Sequence, residues 1–340
     1  MNNKSILVTG GLGYIGSHTT VALIEKGYKV CIIDNLSNSS IDVLKRIKKI
    51  TNTTPEFVKF DLTDASRTKS FFKKNNHFDG VIHFAAKKSV DESIRKPLDY
   101  YHNNLQSLIN LLDHINTNAK FIFSSSCTVY GQAEKLPITE KTPLKKSESP
   151  YGNTKRICEN ILEDKTKIET EFSAVILRYF NPIGAHQSSL IGEDPRNIPQ
   201  NLVPIITQFA IGKLKKLTVY GDDYPTKDGT CIRDYIHIMD LADGHILVLD
   251  YLLNKKPQIL TLNLGTGKGT SVLQLIKTFE KVNNVVIPFS YEDKRPGDNA
   301  FVVADNSFAK SILKWTPKRN IEKICEDGWK WQLKNPRGYE

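Results

Sequence analysis

The sequence predicts an α/β protein: a doubly wound parallel sheet followed by a smaller mixed α/β C-terminal lobe. Three observations predict it. Short apolar runs alternate with helix-period stretches through the first half of the chain. The first run leads into a glycine-rich turn, and the second ends in an acid, Asp34. The 340 residues, 39% hydrophobic and 25% charged, are enough for a large core and two lobes of ordinary globular composition.

Ser5-Ile6-Leu7-Val8-Thr9 is apolar and stops at glycine, as a buried parallel strand should. Gly10-Gly11-Leu12-Gly13-Tyr14-Ile15-Gly16 then satisfies both G-x-G-x-x-G and G-x-x-G-x-x-G. A helix follows through Lys26, and a second strand, Lys29 to Ile33, ends at Asp34. Such glycines let backbone amides approach a pyrophosphate at a helix N-terminus, and the acid accepts hydrogen bonds from a ribose 2′-OH. The acid favours NAD over NADP, whose 2′-phosphate it would repel. Strand, glycines, helix, strand and acid in this order predict a Rossmann-type NAD site. Its expected contacts are Gly10, Gly13, Tyr14, Ile15, Gly16 and Asp34, with Asn35, Ser37, Asn38 and Ser39 in the next loop.

The alternation continues. Glu56–Phe60 is expected as a third strand, bringing Asp61 and Leu62 to the adenine. Gly80–Phe84 is a fourth, ending in Phe84-Ala85-Ala86-Lys87-Lys88, where small residues permit close approach to the cofactor. Lys88 reads either as a phosphate or ribose contact or as a solvated lysine. Asn103, a further cofactor candidate, and Asn104 sit early in a helix running to about Ile115. Ala119–Phe123 is a fifth strand that runs into Ser124-Ser125-Ser126-Cys127-Thr128-Val129-Tyr130-Gly131. Ligands bind at such strand ends, so Ser126 can meet a reacting hydroxyl, although serine runs also make turns.

In Ser149-Pro150-Tyr151-Gly152-Asn153-Thr154-Lys155, Ser149 suits a helix N-cap and Pro150 the first helical position. Tyr151 and Lys155 then share a face. A phenol of pKa about 10 is a poor base at neutral pH, but a neighbouring cation lowers it by about 1–3 units. Alone, the pair is equally an amphipathic helix face. The first lobe is expected to span residues 1–180 and the second 181–340, with elements of the second half able to return to the first. Asp240-Leu241-Ala242-Asp243 opens an amphipathic helix to about Leu253 that reads as packing. Gly265-Thr266-Gly267-Lys268-Gly269-Thr270 fails the P-loop pattern and reads as a strand-to-helix turn capped at Thr270 or Ser271. Ile321 to Leu333 is helical, with Trp329 and Trp331 packing.

Composition excludes other classes. The net charge of +10 is spread along the chain without a basic tail, which fits a solvated lysine-rich surface and no nucleic-acid partner. Part of it can draw anionic phosphates into a cleft. The five cysteines, Cys31, Cys127, Cys158, Cys231 and Cys325, are odd in number and lack Cys-x-x-Cys spacing. No disulfide framework and no metal site are therefore expected, and a reducing compartment is. No apolar run approaches membrane-spanning length, and the N-terminus enters a strand directly, so a cytoplasmic protein without membrane contact is expected.

The glycine turn, Ser126 and Tyr151-x-x-x-Lys155 together resemble the extended short-chain dehydrogenase/reductase family. The resemblance narrows at Arg178-Tyr179-Phe180-Asn181-Pro182-Ile183-Gly184-Ala185-His186, Asn201-Leu202-Val203-Pro204, Asp222-Asp223-Tyr224-Pro225-Thr226, Arg233 to Ala242, Arg295-Pro296-Gly297-Asp298 and Trp329-Lys330-Trp331. These are similar to the UDP-sugar 4-epimerase branch, over essentially the whole chain. The resemblance implies reversible interconversion of UDP-glucose and UDP-galactose through a 4-keto sugar, with transient reduction of tightly bound NAD. It implies that Tyr151 is the base at the 4-hydroxyl and that Ser126 orients that hydroxyl. Lys155 would hold the nicotinamide ribose and depress the Tyr151 pKa, and Phe180 would complete the cofactor site.

For the second lobe the resemblance implies a nucleotide-sugar site. Asn181, Asn201 and Leu202 would lie near diphosphate and sugar, with Arg233 and Arg295 on the phosphates. Asp298 would bond the uridine ribose, and Thr218, Val219 and Tyr220 would flank uracil. Val302, where hexose-restricted relatives often carry tyrosine, implies room for a 2-N-acetyl group and hence UDP-N-acetylhexosamines. The family also implies a homodimer formed through helices of the first lobe, including that of Tyr151. A 4,6-dehydratase is disfavoured, because Cys127 and Thr128 stand where those enzymes carry Asp-Glu. Epimerases of uronic acids, and a non-catalytic NAD- or RNA-binding protein, remain as alternatives.

Overall fold

The computed structural model describes residues 4–196, 199–295 and 297–340; Pro296 of the resembling segment at Arg295 lies outside them. In chain order the first elements are β1 (Ser5–Thr9), α1 (Tyr14–Glu25), β2 (Lys29–Asp34), α2 (Asp42–Thr51), β3 (Glu56–Lys59) and α3 (Ala65–Lys74). Then come β4 (Gly80–His83), α4 (Val90–Arg95), α5 (Pro97–Leu112), β5 (Lys120–Ser126), α6 (Pro150–Ile168) and β6 (Ser173–Tyr179). The second half holds β7 (Asn181–Ile183), α7 (Leu202–Ala210), β8 (Thr218–Tyr220), β9 (Ile232–His237), α8 (Ile238–Leu253) and β10 (Ile259–Leu264). It closes with β11 (Gly269–Ser271), α9 (Val272–Asn283), β12 (Ser290–Glu292), β13 (Phe301–Val302), α10 (Ser307–Leu313) and α11 (Ile321–Lys334).

The chain divides into two compact units. The first comprises residues 1–131, 143–179 and 242–262. Its core is a seven-stranded sheet of order β10-β6-β5-β4-β1-β2-β3, parallel through the pairs from β6 to β3. The inner strands β1, β4 and β6 are largely apolar runs buried along nearly their whole length, as a sheet covered on both faces requires. The chain leaves β1 toward β2 and β3 and then crosses to β4 on the other side. This reversal opens a crevice at the carboxyl ends of β1 and β4, where such sheets bind ligands. Aromatic residues Phe60, Phe71, Phe72, Phe78, Phe121, Phe123 and Phe172 dominate one core cluster of the unit.

The second unit comprises residues 132–142, 180–241 and 263–340. Here β9 is central: β11 pairs with it antiparallel, while β13 and β7 pair with it parallel at successive registers. A separate parallel pair joins β8 to β12. Leu275, Ile276 and Phe279 of α9 and Ile324 and Cys325 of α11 build its core with Val203 and Ile206 of α7.

Several element boundaries differ from the sequence expectation. Asn103 lies in the middle of α5, which begins at Pro97 directly after α4 and ends at Leu112. The strand expected over Ala119–Phe123 runs on to Ser126, because Ser124, Ser125 and Ser126 pair with Leu177, Arg178 and Tyr179; strand pairing overrides their turn preference. The helix at Asp240 starts two residues earlier, at Ile238. Of the two cap candidates it is Ser271 whose hydroxyl accepts from Gln274 N.

Candidate active site

The crevice is shaped first by backbone. Gly10 adopts φ +68, and a Cβ there would stand 2.8 Å from Ala85 N. At Gly16 a Cβ would meet Gly10 O at 2.2 Å, so β1, the turn and α1 pack closer than any side chain allows. Gly13 is the N-cap of α1 and offers no side-chain cap. No side chain thus caps the first turn of α1, and the helix dipole there favours an anion.

Asp34, buried at the end of β2, holds this turn. Its carboxylate accepts from Leu12 N at 3.1 Å, Leu36 N at 2.9 Å and Ser39 Oγ at 2.8 Å. One acid thus ties the glycine turn to the loop carrying Asn35, Ser37, Asn38 and Ser39. Asn35 Nδ2 donates to Asp61 Oδ2 at 2.8 Å. Burial opposes ionisation of Asp61, but bonds from Thr63 and Asn35 outweigh it and hold its carboxyl below the usual range. Leu62 is buried, and its carbonyl accepts from Asn110 Nδ2 at 2.7 Å. Past β4, Phe84, Ala85 and Ala86 are half-buried and Lys88 is exposed. These residues form a cradle closed to added side chains and lined with amides and acids, which fits an adenine dinucleotide with a free ribose 2′-OH.

Beyond β4 the fastening residue is Asn104, one place after the expected Asn103. Buried, it accepts from Lys87 N at 2.8 Å and donates to Lys87 O at 3.1 Å and to Thr154 Oγ1 of α6 at 3.0 Å. Asn103 only donates to Asn104 Oδ1.

At the ends of β5 and α6 the structure brings Ser126 and Tyr151 together. Ser149 Oγ accepts from Gly152 N at 3.1 Å and Pro150 opens the helix, so α6 starts one residue before Tyr151. Ser126 Oγ accepts from Thr128 N at 3.2 Å and from Thr128 Oγ1 at 3.0 Å, which leaves its own proton to donate. That hydroxyl bonds the Tyr151 phenol, whose pKa is nonetheless pushed up to about 12, burial outweighing the Ser126 bond.

Lys155 lies buried one turn after Tyr151 on α6. Its Nζ donates to Ser124 O at 2.6 Å and lies 4.9 Å from the Phe123 ring centroid. Burial lowers the ammonium to about 8, partly offset by Cys158 and Glu159. In the protein alone Lys155 therefore does not depress Tyr151: the amine is drawn to a backbone carbonyl, and desolvation governs the phenol. With three donors and one protein acceptor, Lys155 retains hydrogen-bonding capacity for a ligand such as a ribose. Tyr179, in register with Ser126, bonds His245 of α8 at 2.6 Å.

Within the second unit, three expected residues form one ion cluster. Arg233 Nη2 donates to Asp298 Oδ1 at 2.8 Å and its Nη1 to Asn299 O at 2.7 Å. Arg295 Nη2 donates to Asp298 Oδ2 at 2.8 Å, and its guanidinium lies 5.0 Å from the Tyr220 ring. Two guanidiniums on one carboxylate leave net positive charge, suited to an anionic ligand. Here Asp298 holds the arginines instead of presenting both oxygens to a ribose. Val302 pairs with Arg233 on the adjacent strand and is half-buried. Thr218 and Val219 lie with Tyr220 on β8. Asn181 begins β7, Asn201 Nδ2 donates to Glu193 Oε1 at 2.7 Å, Leu202 opens α7, and Phe180 is buried with its N–H on Leu264 O.

Among the described residues no group of three or more His, Cys, Asp or Glu side chains could hold a metal, and no helix is long and apolar enough to cross a membrane.

A family model described as GDP-mannose 4,6 dehydratase matches residues 7–328. The UDP-glucose 4-epimerase of Bacillus subtilis (strain 168) is 50% identical over 338 residues, covering 99% of each chain. The chain belongs to the UDP-glucose 4-epimerase family. The crystal structure of the Bifidobacterium longum UDP-glucose 4-epimerase in complex with NAD+ and UDP superposes with a TM-score of 0.94 at 45% identity, covering 98% of this chain and 100% of that one. The Stenotrophomonas maltophila family member, with bound NAD and formylated UDP-arabinopyranose, also gives 0.94, at 44% identity and 98% and 99% coverage. The broader model's dehydratase description does not carry over to this member's chemistry: Thr128 spends its hydroxyl on Ser126, and Cys127 is no carboxylic acid.

Proposed function

We propose that this protein is an NAD-dependent UDP-glucose 4-epimerase that interconverts UDP-glucose and UDP-galactose. The observation that carries the reading is the Tyr151 phenol hydrogen-bonded by Ser126, one helical turn before a buried Lys155, at the ligand-binding end of a sheet whose glycine turn fits a dinucleotide. Bound NAD supplies a reversible hydride acceptor for sugar carbon 4 and a positive charge in the crevice. Tyr151 Oη takes the proton of the 4-hydroxyl, holds it while the sugar is the 4-ketone, and returns it to O4. The Ser126 hydroxyl, with a proton to donate, orients the reacting oxygen and favours the phenolate. Lys155 holds the ribose of the cofactor. Configuration inverts when the ketone takes back hydrogen on its opposite face. In the second unit, Arg233 and Arg295 bind the diphosphate, with Asp298 fixing their forks.

Proton NMR of the anomeric signals tests the reading with purified protein, UDP-galactose and no added NAD. Conversion to UDP-glucose is expected, and Tyr151→Phe should slow it by about 10²–10⁴-fold while UDP binding persists. Absence of conversion even with NAD supplied overturns the assignment and moves 4-epimerases of other nucleotide sugars to the front.

The half-buried Val302 beside Arg233 favours a second substrate class, UDP-N-acetylglucosamine and UDP-N-acetylgalactosamine. Val302→Tyr should suppress that activity and spare the hexoses; equal loss of both refutes it. A homodimer formed through α5 and α6 completes the proposal, supported by Leu98 at 80% exposed on α5. A monomer mass by light scattering would refute it.

A further inference from the structure

Behind the reacting groups of the first unit lies a charged pair to which the reading above gives no work. Glu159, one helical turn past Lys155 on α6, is almost fully buried. Its Oε1 accepts from Ser125 Oγ at 2.5 Å and from Arg178 Nε at 3.0 Å, and its Oε2 from Arg178 Nη2 at 2.6 Å. Arg178, 5% exposed, pairs in register with Ser125 and stacks 4.8 Å from the ring of Tyr130. Tyr130 closes the short 3-10 turn that follows Ser126. The fork therefore joins α6 to β5, β6 and the turn, each within one residue or one helical turn of Ser126, Lys155 or Tyr179.

We propose that Glu159 and Arg178 are positioning residues of the epimerase centre: their bidentate pair locks β5, β6 and α6 behind Ser126, Tyr151 and Lys155, and the Glu159 carboxylate is the counter-charge of the buried Lys155 ammonium. A merely structural pair is costly to bury and is often replaceable by apolar groups. What distinguishes this one is the list of groups facing Lys155. From α6 these are Cys158 and Glu159, with Tyr151 one turn earlier on the same face; from β4, His83; from β5, the Ser124 carbonyl and the Phe123 ring; Arg178 and Tyr179 of β6 meet Glu159 and Ser124 in turn. Burial holds Cys158 as a thiol with its pKa near 12, keeps both phenols protonated, and lowers His83 to about 3, so it is neutral. In the protein alone, before Tyr151 ionises, Glu159 is the only anion of the set. It opposes the burial that lowers Lys155 to about 8.

The proposal rests on the epimerase reading, and wild-type turnover of UDP-galactose tests that reading first. The pH dependence of kcat/KM then tests this one in NAD-loaded variants whose fold is checked by circular dichroism. Glu159→Gln removes the anion and leaves Arg178, so the alkaline limb should move down by about one pH unit or more. Arg178→Met leaves the anion uncompensated, so the limb should move up. Glu159→Asp keeps the charge but shortens the tie, and kcat should fall about tenfold or more with the limb unmoved. A wild-type limb in folded Glu159→Gln or Arg178→Met overturns the counter-charge role. A wild-type kcat in Glu159→Asp overturns the positioning role. Should Glu159→Gln fail to fold, the opposite-signed shift in Arg178→Met decides. If the wild type does not turn over UDP-galactose, the epimerase reading fails separately. Titration of the Lys155 amine by lysine-selective NMR labelling then still decides: its pKa must fall in Glu159→Gln and rise in Arg178→Met.

Discussion

A methyl group added at Gly16 would stand 2.2 Å from Gly10 O and 2.8 Å from Gly11 Cα, both rigid backbone atoms. The turn would have to open, taking its amides away from the phosphates they would bind. Gly16→Ala should therefore carry at least about tenfold less NAD through purification, a loss that needs only about 1.4 kcal/mol of binding. Nucleotide released on denaturation measures it, and wild-type content would contradict the fit of the glycine turn to NAD. Such a residue is legible in sequence because turn chemistry is local. Asn104 is not: its meaning lies in Thr154, on another helix, and in both backbone groups of Lys87. Ser124 likewise reads as one serine of a run until its carbonyl is seen to receive the Lys155 amine. The burial that governs Tyr151 in the protein alone was hidden for a related reason, since spacing reports which face a side chain shares but not how dry that face is.

The helix α6 carries Tyr151, Lys155 and Glu159 on successive turns, so its starting point sets the register of all three. Ser149 fixes that point through its bond from Gly152 N. Ser149→Ala should cost about 1 kcal/mol, read as a lower denaturant midpoint at unchanged slope. A midpoint equal to wild type would show that packing of α6 alone sets its start. This element was readable because cap, proline and periodicity agree. By contrast the start of α5 at Pro97, six residues before Asn103, was not legible, because only Lys96 separates it from α4. Two helices abutting without a polar loop leave no break in the pattern. The strand character of Ser124–Ser126 was hidden because it depends on pairing with Leu177–Tyr179.

On the scale of the molecule, the buried groups of the sheet impose a pH dependence. His83, fully enclosed and bonded to Thr9 Oγ1 at 2.8 Å, is lowered from 6.5 to about 3, first by burial and then by the Lys155 charge. Below pH 6.5 the unfolded chain takes up a proton that the native state refuses. The His83 contribution is complete above pH 6.5 and lost between 6.5 and about 3, with a slope of about 1.4 kcal/mol per pH unit. His83→Gln should flatten the stability curve over that window, whatever its effect at neutral pH, and an unaltered slope would contradict it. The doubly wound plan was visible in the alternation of apolar runs, whereas the order of strands, with β10 of the second half on the edge beside β6, depends on tertiary pairing. The ion cluster of Arg233, Asp298 and Arg295 was visible as separate motifs, while their mutual pairing depends on how β9 meets the segment before β13.

The first unit takes in residues 1–131 and 143–179, and then 242–262. Strand β6, buried along all seven residues, is an inner strand only because β10 lies on its far side. A ribosome delivers β6 long before β10, and most of the intervening chain, residues 180–241, belongs to the other unit. Throughout that interval the nascent sheet ends in a long apolar strand with one row of unpaired amides and carbonyls, the kind of edge that recruits a strand from another chain. Completion of the first unit's sheet is thus deferred until much of the second unit has emerged. Crowded polysomes translating this message would be where misassembly between neighbouring nascent chains is most severe.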